Sequence, residues 1–160
     1  MNVQLRRAKP ASESEIVALE KALGYRLSES FRRFLATNNG AEPETNIFRV
    51  GEGNDSGVNQ FIPVSTIQEE RKLLLPLPRQ IYPIAWAEGG NYIVINEDCD
   101  GAVFFWDHEI EGGGGMTKLS PDFDRFLESL KPFDPQSIEL RPEQVISTWM
   151  HPDFQKLIKQ

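Results

Sequence analysis

Three short segments constrain this chain more than any other part of it: Ile81–Ala87, Tyr92–Ile95 and Val103–Trp106. Each is rich in aromatic and β-branched residues, which suit the pleated, half-buried surface of a sheet. Gly89-Gly90-Asn91 reads as the turn between the first two, and Asn96 to Gly101 as the turn between the next two. Together they read as a meander of consecutive strands. Alternation along the third strand puts Phe104 and Trp106 on one face and Phe105 on the other, so one face of the sheet is expected to be only partly covered.

Helices are signalled on both sides of this block. Ser12 and Glu15 have the spacing of a capping box, Ile16, Leu19 and Leu23 follow at helical intervals, and Gly24 fits the stop. Ser28 is placed to cap a second helix whose inward side is Phe31, Phe34 and Leu35. Asn46 to Val50 reads as a short strand. Phe61 to Val64 reads as another, at an edge because Pro63 has no N–H to donate, and Ser65 as the cap of a short helix to Leu75. Ser120 and Pro121 open a further helix with Phe123, Phe126, Leu127 and Leu130 as its stripe. The expected fold is α+β: a central, mostly antiparallel sheet with helices packed against it. Residues 1–131 form that domain, and 132–160 a helical extension packed on it, with Val145, Ile146, Trp149, Phe154, Leu157 and Ile158 as its apolar positions.

The 160 residues suit one domain. A single cysteine, Cys99, can form neither an intrachain disulfide nor a cysteine-based zinc site, which favours a reducing, cytoplasmic setting. Nothing in the sequence approaches the ~20 apolar residues of a membrane span, and no apolar run follows the basic N-terminal residues as a secretory signal would require. The net charge is −7, and its placement says more than its sum: from Glu88 to Glu111 there are seven acids and no lysine or arginine. Such a surface repels phosphate backbones, which argues against a nucleic-acid partner, and attracts a basic protein.

With these residues in view, the chain resembles the SUKH superfamily of Smi/Knr-type domains. Gly24-Tyr25-Arg26-Leu27, then Phe31-Arg32-Arg33-Phe34-Leu35 and Asn38-Asn39-Gly40, resemble the opening of that family. Ile84-Ala85 with Gly89-Gly90-Asn91 and the strand to Ile95 resemble its middle. Gly101-Ala102-Val103, Trp106-Asp107-His108-Glu109 and the helix Phe123 to Leu130 resemble its close. Ser28 stands where the family often has proline. The likeness covers about residues 12–131; the loop from Gly51 to Gly57 and the tail after Pro132 match no part of the pattern. It implies an α+β fold and a role in protein binding without catalysis or cofactor: neutralising a toxin domain such as a nuclease or deaminase, as in many bacterial members, or acting as an intracellular scaffold or regulator, as in fungal ones.

The acidic residues supply the candidate contact surface: Glu52, Asp55, Glu88, Glu97, Asp98, Asp100, Glu109 and Glu111. They are expected to form one negative rim that covers a basic toxin cleft. Asn96, Asp98, Asp100, Gly101 and Asp107 also fit the spacing of a calcium loop. The last position should be a glutamate able to use both oxygens, however, and the flanks here are strand-like, so an acidic hairpin turn is the favoured reading. Asp107-His108-Glu109 reads as a polar strand end, because zinc needs three converging ligands and the only other histidine is His151. The glycines 112–115 lack the Lys-Ser/Thr of a phosphate loop and read as a flexible loop. No metal or cofactor is expected.

Overall fold

The computed structural model describes residues 3–52, 54–74, 77–110 and 112–134. Six strands form one sheet in which every neighbour in space is a neighbour in sequence: β3 (Ile47–Val50), β4 (Asn54–Phe61), β5 (Ile81–Ala87), β6 (Tyr92–Asn96), β7 (Ala102–Trp106) and β8 (Met116–Ser120), all antiparallel. A separate ribbon joins β1 (Leu5–Arg6) to β2 (Glu42–Pro43). The helices are α1 (Glu13–Leu23), α2 (Glu29–Asn38), α3 (Val64–Leu73) and α4 (Phe123–Ser129). The expected α+β architecture is the one observed.

The start of α1 follows the sequence signal closely. The Ser12 N–H donates to Glu15 Oε2 at 2.8 Å, and the Glu15 N–H donates back to Ser12 Oγ at 3.3 Å. Gly24 ends the helix at φ +84°, where a side chain would be strained, and its N–H returns to the Glu20 carbonyl. Arg32 ties α1 to α2: its Nη1 donates to Glu20 Oε2 at 2.7 Å and its Nη2 to Glu13 Oε1.

Phenylalanines dominate the main core. Phe34 lies 4.6 Å from Phe61 and 5.0 Å from Phe123 between ring centroids, and Phe31 lies 5.1 Å edge-on from Phe123. Phe48 reaches both Phe105 on β7 and Phe126 on α4. Helices α2 and α4 are thereby fixed to one face of the sheet. On the other face a smaller cluster forms from Leu74, Leu77, Ile81, Val94 and Trp106, with Tyr92, Phe104 and Met116 at its margin.

Several expectations are corrected. The strand expected at Phe61 to Val64 ends at Phe61 and begins at Asn54, and it lies between β3 and β5 rather than at an edge. Pro63 falls just past it, where its missing N–H costs nothing, and serves as the N-cap of α3 in place of Ser65. Asp122, not Ser120, caps α4, because Ser120 is still paired in β8; the Asp122 carboxylate accepts from the Arg125 N–H at 2.8 Å. Gly112–Gly115 forms a single helical turn, and a Cβ at Gly115 would strike the Asp107 carbonyl oxygen at 2.6 Å. The helical tail expected from Pro142 onward lies outside the described residues.

Candidate protein-binding face

The turns of a meander alternate between the two ends of its sheet, and this alternation sorts the candidate acids. The β3–β4, β5–β6 and β7–β8 connections lie at one end, the near rim. The β6–β7 turn lies at the other, the far rim. Glu52, Asp55, Glu88 and Glu109 therefore share the near rim, whereas Glu97, Asp98 and Asp100 sit on the far rim. The five residues of β6 separate the two by about 17 Å. A single continuous rim is not formed. Glu111 lies outside the described residues.

At the near rim, Glu88 folds over β4, so that a Cβ on Gly57 would come within 3.0 Å of its Oε1. His108 joins two turns: its Nδ1 lies 2.9 Å from Asn91 Oδ1, and its backbone N–H donates to the same oxygen at 3.2 Å. That imidazole nitrogen is engaged by an amide rather than by a carboxylate. The Glu109 N–H donates to Asp107 Oδ1 at 2.9 Å, which turns the chain back at the rim. Asp55 is partly neutralised by Arg49, 2.7 Å away.

The far-rim acids have different roles from one another. The Glu97 carboxylate points inward, where its Oε1 accepts from the Ser28 N–H at 2.9 Å and the Tyr82 hydroxyl at 2.6 Å. Ser28 does stand at the start of α2, but its hydroxyl makes no cap; the carboxylate delivered by the β6–β7 turn instead accepts the backbone N–H of Ser28 itself, beside the helix start. Asp98 and Asp100 are exposed. Asn96 Oδ1 accepts from the Asp98 N–H, Asp100 takes φ +54°, and Gly101 takes φ +75° against the Ser28 side chain. The segment with calcium-loop spacing is thus a hairpin, and Asp107 lies a strand's length from Asp98 and Asp100. Among the described residues no cluster of three or more His, Cys, Asp or Glu could hold a metal ion.

Just below the near rim runs a row that the charges alone do not reveal. Register pairs Trp86 with Tyr92, Tyr92 with Trp106, and Trp106 with Met116 across four strands. Directly opposed residues share a face, so the row lies on the side of the sheet away from α2 and α4. Phe104, opposite Lys118, lies on the same side. Trp86, Tyr92, Phe104 and Met116 are half-buried, and Trp106 is 9% exposed. Glu70 on α3 completes the row: its Oε2 accepts from Trp86 Nε1 at 2.9 Å and from the Tyr92 hydroxyl at 2.6 Å. Desolvation and the bond to Glu70 push the Tyr92 phenol up to about 12.

A profile of the SMI1 / KNR4 family (SUKH-1) matches residues 10–129. The chain belongs to that family. The SMI1/KNR4 match spans everything from the residues just before α1 to the last turn of α4, and so includes both rims and the aromatic row. The family includes immunity proteins and SMI1/KNR4 regulators, and SUKH domains generally act through protein–protein contacts. A search of curated proteins found no match. No helix among the described residues is long and apolar enough to cross a membrane.

Sequence reading pointed to a partly covered aromatic side of this SMI1/KNR4 domain through the alternation of β7, while favouring the core for most of its aromatics, and missed Glu70. The Glu69-Glu70 pair sits on a short helix whose phase the sequence leaves open. Only the folded chain shows Glu69 turned to Lys72 and Glu70 turned to the sheet.

Proposed function

We propose that this protein is an immunity-type binder that neutralises a toxin domain, a nuclease or deaminase, by covering its basic active-site cleft. It does so by occlusion and performs no chemistry itself. One observation carries the reading: the near-rim acids Glu88, Asp107 and Glu109 border a half-buried aromatic row. Aromatic anchors ringed by polar residues are the usual makeup of an energetic hot spot. An acidic border would also speed association with a basic partner.

The test compares the two rims. The tagged protein is recovered from its native cells and the bound partner identified, a secreted toxin encoded by a neighbouring gene being the first candidate. Binding is then measured for two double variants, Glu88→Lys with Glu109→Lys and Asp98→Lys with Asp100→Lys. The near-rim pair is expected to weaken binding at least about tenfold, mainly through a slower on-rate, and the far-rim pair less than about twofold. Equal effects of the two pairs, or none from either, would remove the near rim as the contact surface.

A regulatory module of the same fold is the second reading. The distance between the rims favours it, since two separate acidic ends could hold two partners at once. A ternary complex in which each double variant releases a different protein would decide for it.

A further inference from the structure

Glu70 has an unusual setting for a carboxylate. Its Oε2 is held by two neutral ring donors, the Trp86 indole and the Tyr92 phenol. No lysine or arginine pairs with it among the described residues: Arg71 turns to the Leu74, Leu77 and Pro78 carbonyls, and Lys72 to Glu69. Its Oε1 accepts no hydrogen bond there either. A half-buried anion with an open oxygen, flanked by two aromatic rings, lacks only a cation. A guanidinium suits the place better than an ammonium: its planar fork can donate to Oε1 while its face stacks on an indole or phenol ring.

We propose that Glu70, Trp86 and Tyr92 form a receptor for one arginine side chain of the protein partner, the anchor of the near-rim interface. The proposal rests on the binding reading above and deepens it. The aromatic donors orient the carboxylate before the partner arrives, so little ordering is left for the moment of binding. The acids of the rim steer a basic surface toward the sheet, and the receptor fixes its register.

The probe is Ac-Gly-Arg-Gly-NH2, with the citrulline peptide as its uncharged isostere. The full chain is titrated while the indole N–H resonances of Trp86, Trp106 and Trp149 are followed by NMR. The arginine peptide is expected to shift the Trp86 signal to saturation in the millimolar range, and the citrulline peptide to leave it in place. Glu70→Gln keeps the shape and an acceptor for both rings but removes the charge, and should weaken the arginine response at least about tenfold. If Glu70→Gln fails to fold, Tyr92→Phe, which retains the ring and loses one orienting bond, should weaken it severalfold. Equal responses to the two peptides, no response at Trp86, or arginine binding unchanged in the folded variant would overturn the receptor. Failure of the wider reading looks different. If Glu70→Gln leaves partner binding intact while the near-rim double variant abolishes it, the face is right and the arginine is wrong. If neither matters, both fall.

Discussion

Tyr25, Tyr82 and Tyr92 are the chain's three tyrosines, and folding raises the pKa of each. Burial is the main cause in every case. It lifts Tyr25 to about 12 and Tyr92 to about 12, with Glu70 adding to the rise at Tyr92, and it takes Tyr82 well above its ordinary 10, with Glu97 adding there. A folded-state pKa above the unfolded value means that the native state holds its protons more tightly. The stability gained is complete below about pH 10 and drains away as the pH climbs toward 12. Tyrosinate absorbance at 295 nm should therefore show no inflection near pH 10 while the chain is folded, and urea midpoints should fall between pH 10 and 12. A one-proton inflection near 10 in the native protein would show that one of these phenols is ordinary. The neighbouring acids Glu97 and Asp98 make a second contrast. Glu97→Lys strands the Ser28 N–H and the Tyr82 hydroxyl and places a cation among them, at an expected cost of about 3 kcal/mol. Asp98→Lys changes only an exposed side chain and should stay within about 0.5 kcal/mol. Denaturant titrations of the two variants separate the structural acid from the surface one.

Among the elements, α4 is the short helix on which the most depends. Phe123 is fully buried and touches Phe31, Phe34, Phe61 and Phe126, so it locks α2, β4 and α4 together. Phe123→Ala should cost about 4 kcal/mol, measurable as a lowered urea midpoint at unchanged slope. Elements of this kind were legible in the sequence because their signals are local. The capping box, the glycine stop and the helical stripes each lie within a dozen residues, and α1 and α2 fall where they point. Strands β5, β6 and β7 announce themselves by composition. Strands β4 and β8 do not: Asn54–Phe61 and Met116–Ser120 carry few β-branched or aromatic residues and owe their state to neighbours already in the sheet. The acids of the candidate site were all visible as residues, but their division between two rims depends on the parity of the turns. Glu97 depends on a contact 69 positions away in sequence. No local pattern carries either.

For the whole molecule, charge and topology are linked. The meander sends alternate turns to opposite ends, so a sequence window that reads as one acidic block becomes two surfaces facing apart. The acidic window is therefore split between two ends, and of its described residues only Glu88, Asp107 and Glu109 border the aromatic row. The same strand order has a consequence for how the chain is made. Each strand of the large sheet finds its partner in the segment synthesised just before it, so the sheet can be assembled hairpin by hairpin as the polypeptide leaves the ribosome. Phe31 of helix α2 meets Phe34 within its own helix and Tyr82 on β5, but its edge-on contact with Phe123 comes only some ninety residues later. A nascent chain halted in β7 or β8 would hold most of the sheet and α2 but lack Phe123 and Phe126, leaving the Phe31, Phe34, Phe48 and Phe61 rings without the share of their packing that α4 supplies.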